Sequence, residues 1–102
     1  MNKSTLIKEC ISTDNARVAE YLIHSNSRGR EHIHNDVFEE LYCLSGSITV
    51  KLDGQEDVVL QGGDKIFIPK GTKHCTRNDT DEDARFLVIQ GGGKFDLVTS
   101  KK

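Results

Sequence analysis

The strongest constraint on this chain is the spacing of its apolar residues. Short runs rich in β-branched and aromatic residues, each bounded by turn formers, follow one another along the sequence, and a helical period is nearly absent. The runs predict strands at 6–10, 17–24, 31–34, 39–44, 47–52, 57–60, 65–68, 74–77 and 85–90. Asp53-Gly54 predicts a type I′ hairpin turn, because both central positions of that turn need positive φ. Gly62, Gly63 and Asp64 mark another reversal. Pro69 to Gly71 ends a strand, since proline has no N–H for a ladder and Gly71 can take angles other residues avoid. So many short strands in 102 residues predict an all-β domain, either a sandwich or a closed barrel. The alternation of Ile48, Val50 and Leu52 with Ser47, Thr49 and Lys51 predicts one buried face there. Phe86 to Ile89 is apolar on both faces, as suits a central strand or one covered by a partner subunit.

A chain of 102 residues makes a single domain, spanning 1–102 with its core at about 18–90. Folding at this length hides roughly 65% of the unfolded surface. Hydrophobic residues are only 35% of the total, so a bound metal or a second subunit is expected to add stability. Fourteen Lys and Arg stand against 16 Asp and Glu, with only Lys101 and Lys102 adjacent, which argues against nucleic acid or anionic lipid as partners. No apolar stretch approaches the roughly 20 residues of a membrane span, and the first residues lack a signal-peptide core. Cys10, Cys43 and Cys75 are an odd number without CxxC spacing, unlike a disulfide framework or a zinc ribbon. A cytoplasmic protein is the expectation. Asp79, Asp81, Glu82 and Asp83 are read as a solvated turn.

Chemistry concentrates at a few positions. His32 and His34 are two apart, so on a strand both imidazoles face the same side, as two neighbouring ligands of one metal must. Glu39 would face the other way on an unbroken strand, so the chain must turn near Asn35 and Asp36, both good turn formers. His74 follows the Pro69–Gly71 corner, which could aim it back at the same cavity. Three of the chain's four histidines occupy these positions. Three imidazoles and a carboxylate would fill four positions, leaving two for water or substrate on a metal that prefers six. On spacing alone, a surface or hydrogen-bonded role for these histidines stays open.

The wider pattern narrows the choice. Residues 32–46, HIHNDVFEELYCLSG, read His-x-His, four residues, Glu39, six residues, Gly46. Residues 63–78, GDKIFIPKGTKHCTRN, read Gly63, five residues, Pro69-x-Gly71, two residues, His74, three residues, Asn78. Together these resemble the two motifs of the cupin superfamily, with the short spacer of its small single-domain (monocupin, cupin_2-type) members, and the second matches at every fixed position. The resemblance covers roughly residues 18–89. It implies a double-stranded β-helix (jelly-roll) barrel with His32, His34, Glu39 and His74 as ligands of one divalent transition metal (Mn, Fe, Ni, Zn or Cu). Gly46 and Gly63 would then sit at strand turns. One departure concerns the start of the first motif, which usually opens on glycine where this chain has Asn26.

Arg30 shares parity with His32 and His34, so it could face the cavity and hold a substrate carboxylate or orient Glu39, or lie exposed at the mouth. Arg30, Glu40 and Tyr42 are the only candidates for an acid, base or substrate-binding group. Cys43 shares parity with Glu39 and is read as an inert buried thiol that could line the pocket, whereas Cys75 should point away from the metal. Tyr21, Tyr42 and His24 are possible pocket or interface residues. His34-Asn35-Asp36 also reads H-x-D, the start of the iron triad of oxoglutarate-dependent oxygenases, but that group needs a longer chain and a downstream arginine.

The favoured functional expectation is a metalloenzyme acting on a small polar metabolite, as a dioxygenase, isomerase, decarboxylase or lyase. The alternative is a non-catalytic, metal-assisted module that binds or senses a small ligand. A homodimer is expected on either reading.

Overall fold

The structure is a computed structural model and describes residues 4–94 and 98–99. Among these residues there are eleven strands and no helix. They are β1 (Ser4–Ser12), β2 (Ala16–Ile23), β3 (Ser27–Arg28), β4 (His32–Ile33), β5 (Phe38–Ser45), β6 (Ser47–Leu52), β7 (Val58–Gln61), β8 (Lys65–Ile68), β9 (His74–Asn78), β10 (Ala84–Gly91) and β11 (Val98–Thr99). They build two antiparallel sheets, one ordered β1-β2-β10-β5-β8, the other β11-β4-β9-β6-β7 with β3 also paired to β9. Apart from β1–β2 and β6–β7, strands adjacent in space are remote in sequence, as in a jelly roll. Each sheet keeps its own edges, β1 and β8 in one and β11 and β7 in the other. Of the two expected architectures the chain therefore takes the open, sandwich-like one rather than a closed cylinder. With no helix in the described residues, none is long and apolar enough to cross a membrane.

Strand alternation decides what lies between the sheets. Ile48, Val50 and Leu52 of β6 are buried against Leu41 and Cys43 of β5, Phe86 and Val88 of β10, and Ile23, Leu60, Ile68 and Ala84. Hiding each large aliphatic side chain contributes about 1.5–3 kcal/mol. β10 is the middle strand of its sheet, so the 86–89 run is centrally buried: Phe86 and Val88 face inward, while Leu87 and Ile89 are half-buried on the outer face.

Register orders the inner face of the first sheet into rungs. Ala84 lies opposite Ile23, Phe86 opposite Tyr21 and Cys43, Val88 opposite Ala19 and Leu41, and Gln90 opposite Arg17 and Glu39. Along this face apolar side chains give way to polar ones at the last rung. The apolar core thus occupies one end of the sandwich and leaves the other for a site.

Two turns depart from expectation. The 52–58 connection is a five-residue loop rather than a two-residue hairpin, because β6 ends at Leu52 and β7 begins at Val58. Asp53 does not take the positive φ that type I′ demands; Gly54 alone does, at 77°, with Gln55 N–H bonded to the Leu52 carbonyl at 3.0 Å. Asn26, which stands where the first motif usually has glycine, adopts φ 51°. Asparagine is among the few other residues that tolerate this region, so the turn survives the departure. The 31–34 strand shrinks to His32–Ile33, because the His34 carbonyl accepts from Gly71 N–H at 2.8 Å in the 69–71 corner.

Gly46 joins β5 to β6 at φ 77°, and a Cβ there would lie 2.9 Å from Ala84 Cβ and 3.0 Å from the Asp83 carbonyl oxygen. Gly46→Ala combines a left-handed backbone with a clash against buried neighbours. It is expected to destabilise the protein by about 2–4 kcal/mol, read as a lower midpoint in urea; an unchanged midpoint would refute the close approach.

Candidate metal centre

At the polar end of the sandwich the two sheets supply four side chains to one point. β4 and β9 meet through the pair His32–His74. His34 follows β4, the chain bends at Asn35 and Asp36, and β5 then presents Glu39 inward. The 69–71 corner, held to the first histidine segment by Gly71 N–H to His34 carbonyl, returns the chain so that His74 opens β9. The ligand atoms of His32, His34, Glu39 and His74 all lie within 4.8 Å of one another. Glu39 Oε1 is 3.1 Å from His34 Nε2 and 3.8 Å from His74 Nε2. His34, Glu39 and His74 are buried, and His32 is half-buried.

Hydrogen bonds settle the form of two rings. His32 Nδ1 lies 2.9 Å from the Arg30 carbonyl oxygen, and His74 Nδ1 lies 2.8 Å from that of Thr72. A carbonyl only accepts, so Nδ1 carries the hydrogen and Nε2 of each ring presents a lone pair to the cluster. His74 Nε2 is buried and finds no hydrogen-bond partner. Leaving such a group unsatisfied costs about 1–3 kcal/mol, which a cation at this point would recover. Burial, set against the bond to the Arg30 carbonyl and joined by the neighbouring His74 and His34, holds the His32 pKa below its ordinary value. Burial alone would raise Glu39, but its bond with His34, the nearby His74 and the Gln90 amide outweigh that and bring it below the usual carboxylate value. Three imidazoles and a carboxylate converging on one buried point are the donor set a divalent transition metal takes, so these residues fit one.

The cluster forms one wall of a cavity of about 170 Å³. Arg30 lines it, as its parity with the histidines implies, together with Arg17, Tyr21, Thr76 and Gln90. Leu41, Phe86 and Val88 make the apolar part. Arg17 and Gln90 bear on the site although the sequence reading gave them no role there, and Tyr21, expected as a possible pocket or interface residue, does line the cavity. Their signal was parity: Arg17 and Tyr21 alternate with outward residues on β2, and Gln90 continues the inward set Phe86, Val88.

Other candidates lie elsewhere. Glu40 and Tyr42, two of the proposed acid–base residues, are not at the cavity, because strand alternation turns them outward when Glu39 and Leu41 turn inward. Tyr42 Oη donates to Glu40 Oε1 at 3.3 Å, and Lys65 Nζ sits 3.7 Å from Glu40. Cys43 faces inward but two rungs deeper, in the apolar core, where its thiol contacts the Ser45 and Gly46 carbonyls at 3.6 and 3.5 Å and burial pushes its pKa up. It does not line the cavity. Cys75 is absent from the cavity wall although His74 and Thr76 are present, as alternation requires. His24 lies at the sheet margin near Thr5 and Asp83. Asp36 is exposed in the bend and outside the cluster. The acidic residues 79 and 81–83 are solvent-exposed, as expected.

Comparison with known proteins agrees with the fold. The chain is 40% identical over 50 residues to quercetin 2,3-dioxygenase of Bacillus subtilis, a match covering 49% of this chain and 14% of that protein. The match spans less than half the length of each curated relative. Among solved structures, a conserved protein with a double-stranded β-helix domain from Klebsiella pneumoniae superposes with a TM-score of 0.83 at 18% identity, covering 95% of this chain and 85% of the other. The DMSP lyase DddQ of Ruegeria pomeroyi superposes with a TM-score of 0.85 at 21% identity, covering 96% and 52%. Residues 19–90 match the family model Cupin_2, described as "Cupin domain", and the chain belongs to the cupin family.

Proposed function

We propose that this protein is a metal-dependent enzyme acting on a small polar metabolite, with His32, His34, Glu39 and His74 holding one divalent transition metal, Mn, Fe, Ni, Zn or Cu. The observation that carries this reading is the buried, unpartnered Nε2 of His74, aimed among two further imidazoles and a carboxylate. When bound there, such a cation supplies Lewis-acid polarisation of a carbonyl or enediol, or redox chemistry with dioxygen. The protein's own groups do the rest. Arg17 and Arg30 bring positive charge to the cavity and favour a substrate bearing a carboxylate or enolate. Tyr21 Oη accepts a hydrogen bond from Arg17 Nη2 at 2.9 Å, so its own hydrogen can be donated to a molecule in the cavity. Tyr21 thereby replaces Glu40 and Tyr42 as the acid–base candidate. Leu41, Phe86 and Val88 exclude water from the apolar wall. Dioxygenase, isomerase, decarboxylase and lyase activities all remain within this chemistry, and the similarity to a quercetin dioxygenase and a DMSP lyase supports that range.

Elemental analysis of protein purified without an affinity tag is expected to find about one transition metal per chain. Oxygen-uptake and keto-sugar isomerisation screens with that metal restored then test for turnover. Failure to bind any such metal at micromolar concentration ends this reading. The second reading, a metal-assisted ligand-binding or sensor module, draws support from the outward placement of Glu40 and Tyr42. It predicts saturable binding of small carboxylates with no turnover.

The functional unit proposed is a cytoplasmic homodimer. The unpaired thiols of Cys10, Cys43 and Cys75 suit a reducing compartment. Ile11, Val18 and Ile89 align across the outer face of the first sheet, and the same rung continues through Glu40 to Phe67. Ile11 and Phe67 are about half exposed, at 52% and 51%. A second copy packed on this face would cover them. Sedimentation should show a dimer at micromolar concentration and a monomer for Phe67→Lys; a monomeric parent protein refutes the assignment.

A further inference from the structure

The last inward rung of the first sheet places Arg17, Gln90 and Glu39 side by side on β2, β10 and β5, and Glu9 of β1 reaches Arg17 from a neighbouring position. Glu9 Oε2 accepts from Arg17 Nε at 2.9 Å, Arg17 Nη1 donates to Gln90 Oε1 at 3.3 Å, and Gln90 Nε2 donates to Glu39 Oε1 at 3.1 Å. Register makes this possible: Arg17 lies opposite Gln90 on one side of β10, and Glu39 opposite Gln90 on the other. The two ends of the Gln90 amide cannot be exchanged. A guanidinium only donates, so it must meet the amide oxygen, and a carboxylate only accepts, so it must meet the amide nitrogen. Both neighbours enforce the same orientation. Gln90 is 4% exposed and the Arg17 side chain 14%, so water competes weakly for these bonds. Arg17 and Gln90 also separate the metal cavity from a second cavity lined by Glu9, Ser12, Thr13 and Val37.

We propose that Arg17 and Gln90 are positioning residues of the metal centre, Arg17 fixing the Gln90 amide so that it holds the Glu39 carboxylate oriented toward the three imidazoles. This rests on the metal-binding reading above. Neither residue is a ligand; Arg17 acts on the cation through Gln90, and Gln90 acts through Glu39. Groups that orient a ligand in this way raise metal affinity by about 10–100-fold.

The test measures cobalt(II) and zinc(II) affinity by chelator competition, together with the visible spectrum of the cobalt protein, for the parent chain and four variants. Gln90→Leu and Arg17→Met should each weaken binding by about 10–100-fold and shift the cobalt bands. Arg17→Lys keeps the charge, but one ammonium cannot serve Glu9, Gln90 and Tyr21 together, so it should behave like Arg17→Met. The double variant Gln90→Leu with Arg17→Met should bind no more weakly than Gln90→Leu alone, because the two residues act in series. Melting of the metal-free forms identifies any variant that fails to fold, in which case Arg17→Lys carries the test. Parent-like affinity in Arg17→Lys or Gln90→Leu, or additive losses in the double variant, overturns the proposal while leaving the metal site standing. Absence of metal binding in the parent overturns the metal-binding reading itself, and the relay with it.

Discussion

Replacing His74 with alanine is expected to lower affinity for a divalent transition metal by about 100-fold or more. Four-ligand structural zinc sites contribute roughly 10–16 kcal/mol, or about 3 kcal/mol for each ligand, and each 1.4 kcal/mol is tenfold. His74 should exceed an average ligand in leverage. Its Nδ1 is fixed by the Thr72 carbonyl, its Nε2 has no other partner, and it is 2% exposed, so water cannot easily replace it. The control is the stability of the metal-free protein. Wild type should melt higher when metal is added, by the mass-action term that binding confers on the folded state, and the variant should lose that increment. Equal occupancy in the two proteins would remove His74 from the ligand set. Acid should release the metal as well, since an imidazole must be unprotonated to ligate. The His32 pKa is held below 6.5, so its lone pair persists to lower pH than that of an ordinary histidine. Release is therefore expected in more acidic solution than a ligand histidine with the ordinary pKa would require.

The parts of this protein legible in its sequence are those set by local periodicity. Alternation in 47–52 gave a strand that buries Ile48, Val50 and Leu52, though Thr49 of the other face is buried as well, and the spacing of His32 and His34 gave two imidazoles on one side. The need for a bend before Glu39 followed from parity alone, and the bend falls at Asn35 and Asp36 as those residues favour. The convergence of His74 was not local. It depends on the 69–71 corner bonding back to the His34 carbonyl; the sequence showed a corner that could aim His74 back, and the family resemblance made it an expected ligand. Glu40 and Tyr42 show the opposite failure: once Glu39 is inward, the same parity argument excludes both. Arg17 and Gln90 escaped notice for another reason. Parity places each on an inner face, but their partnership depends on the pairing of β2 with β10, across more than half the chain. The hairpin expected around Asp53-Gly54 forms between β6 and β7, but its two-residue type I′ turn does not, because dipeptide preference carries no information about where the flanking ladder ends.

Asn78 offers the largest expected loss of stability in a residue away from the metal. It ends β9, is fully buried, and spends its amide on four bonds. Nδ2 donates to the Ile23 carbonyl at 3.2 Å and to the Glu82 carbonyl at 2.7 Å, while Oδ1 accepts from Thr80 N at 2.9 Å and Thr80 Oγ1 at 2.7 Å. One side chain therefore ties β2, β9 and the acidic turn before β10. Asn78→Ala opens a small cavity and strands these groups, at about 3–5 kcal/mol. For a domain of this size that is a fall of roughly 12–30 °C in melting temperature. Asn78→Asp separates volume from hydrogen bonding: it keeps the shape and the bonds to Thr80 but sets an oxygen against two carbonyl oxygens, so it should destabilise nearly as much. Parent-like stability in the aspartate variant would mean that filling the space, rather than donating to Ile23 and Glu82, is what Asn78 contributes. At a temperature where both variants remain folded, metal stoichiometry should match wild type, because His74 and Asn78 stand at opposite ends of the same strand.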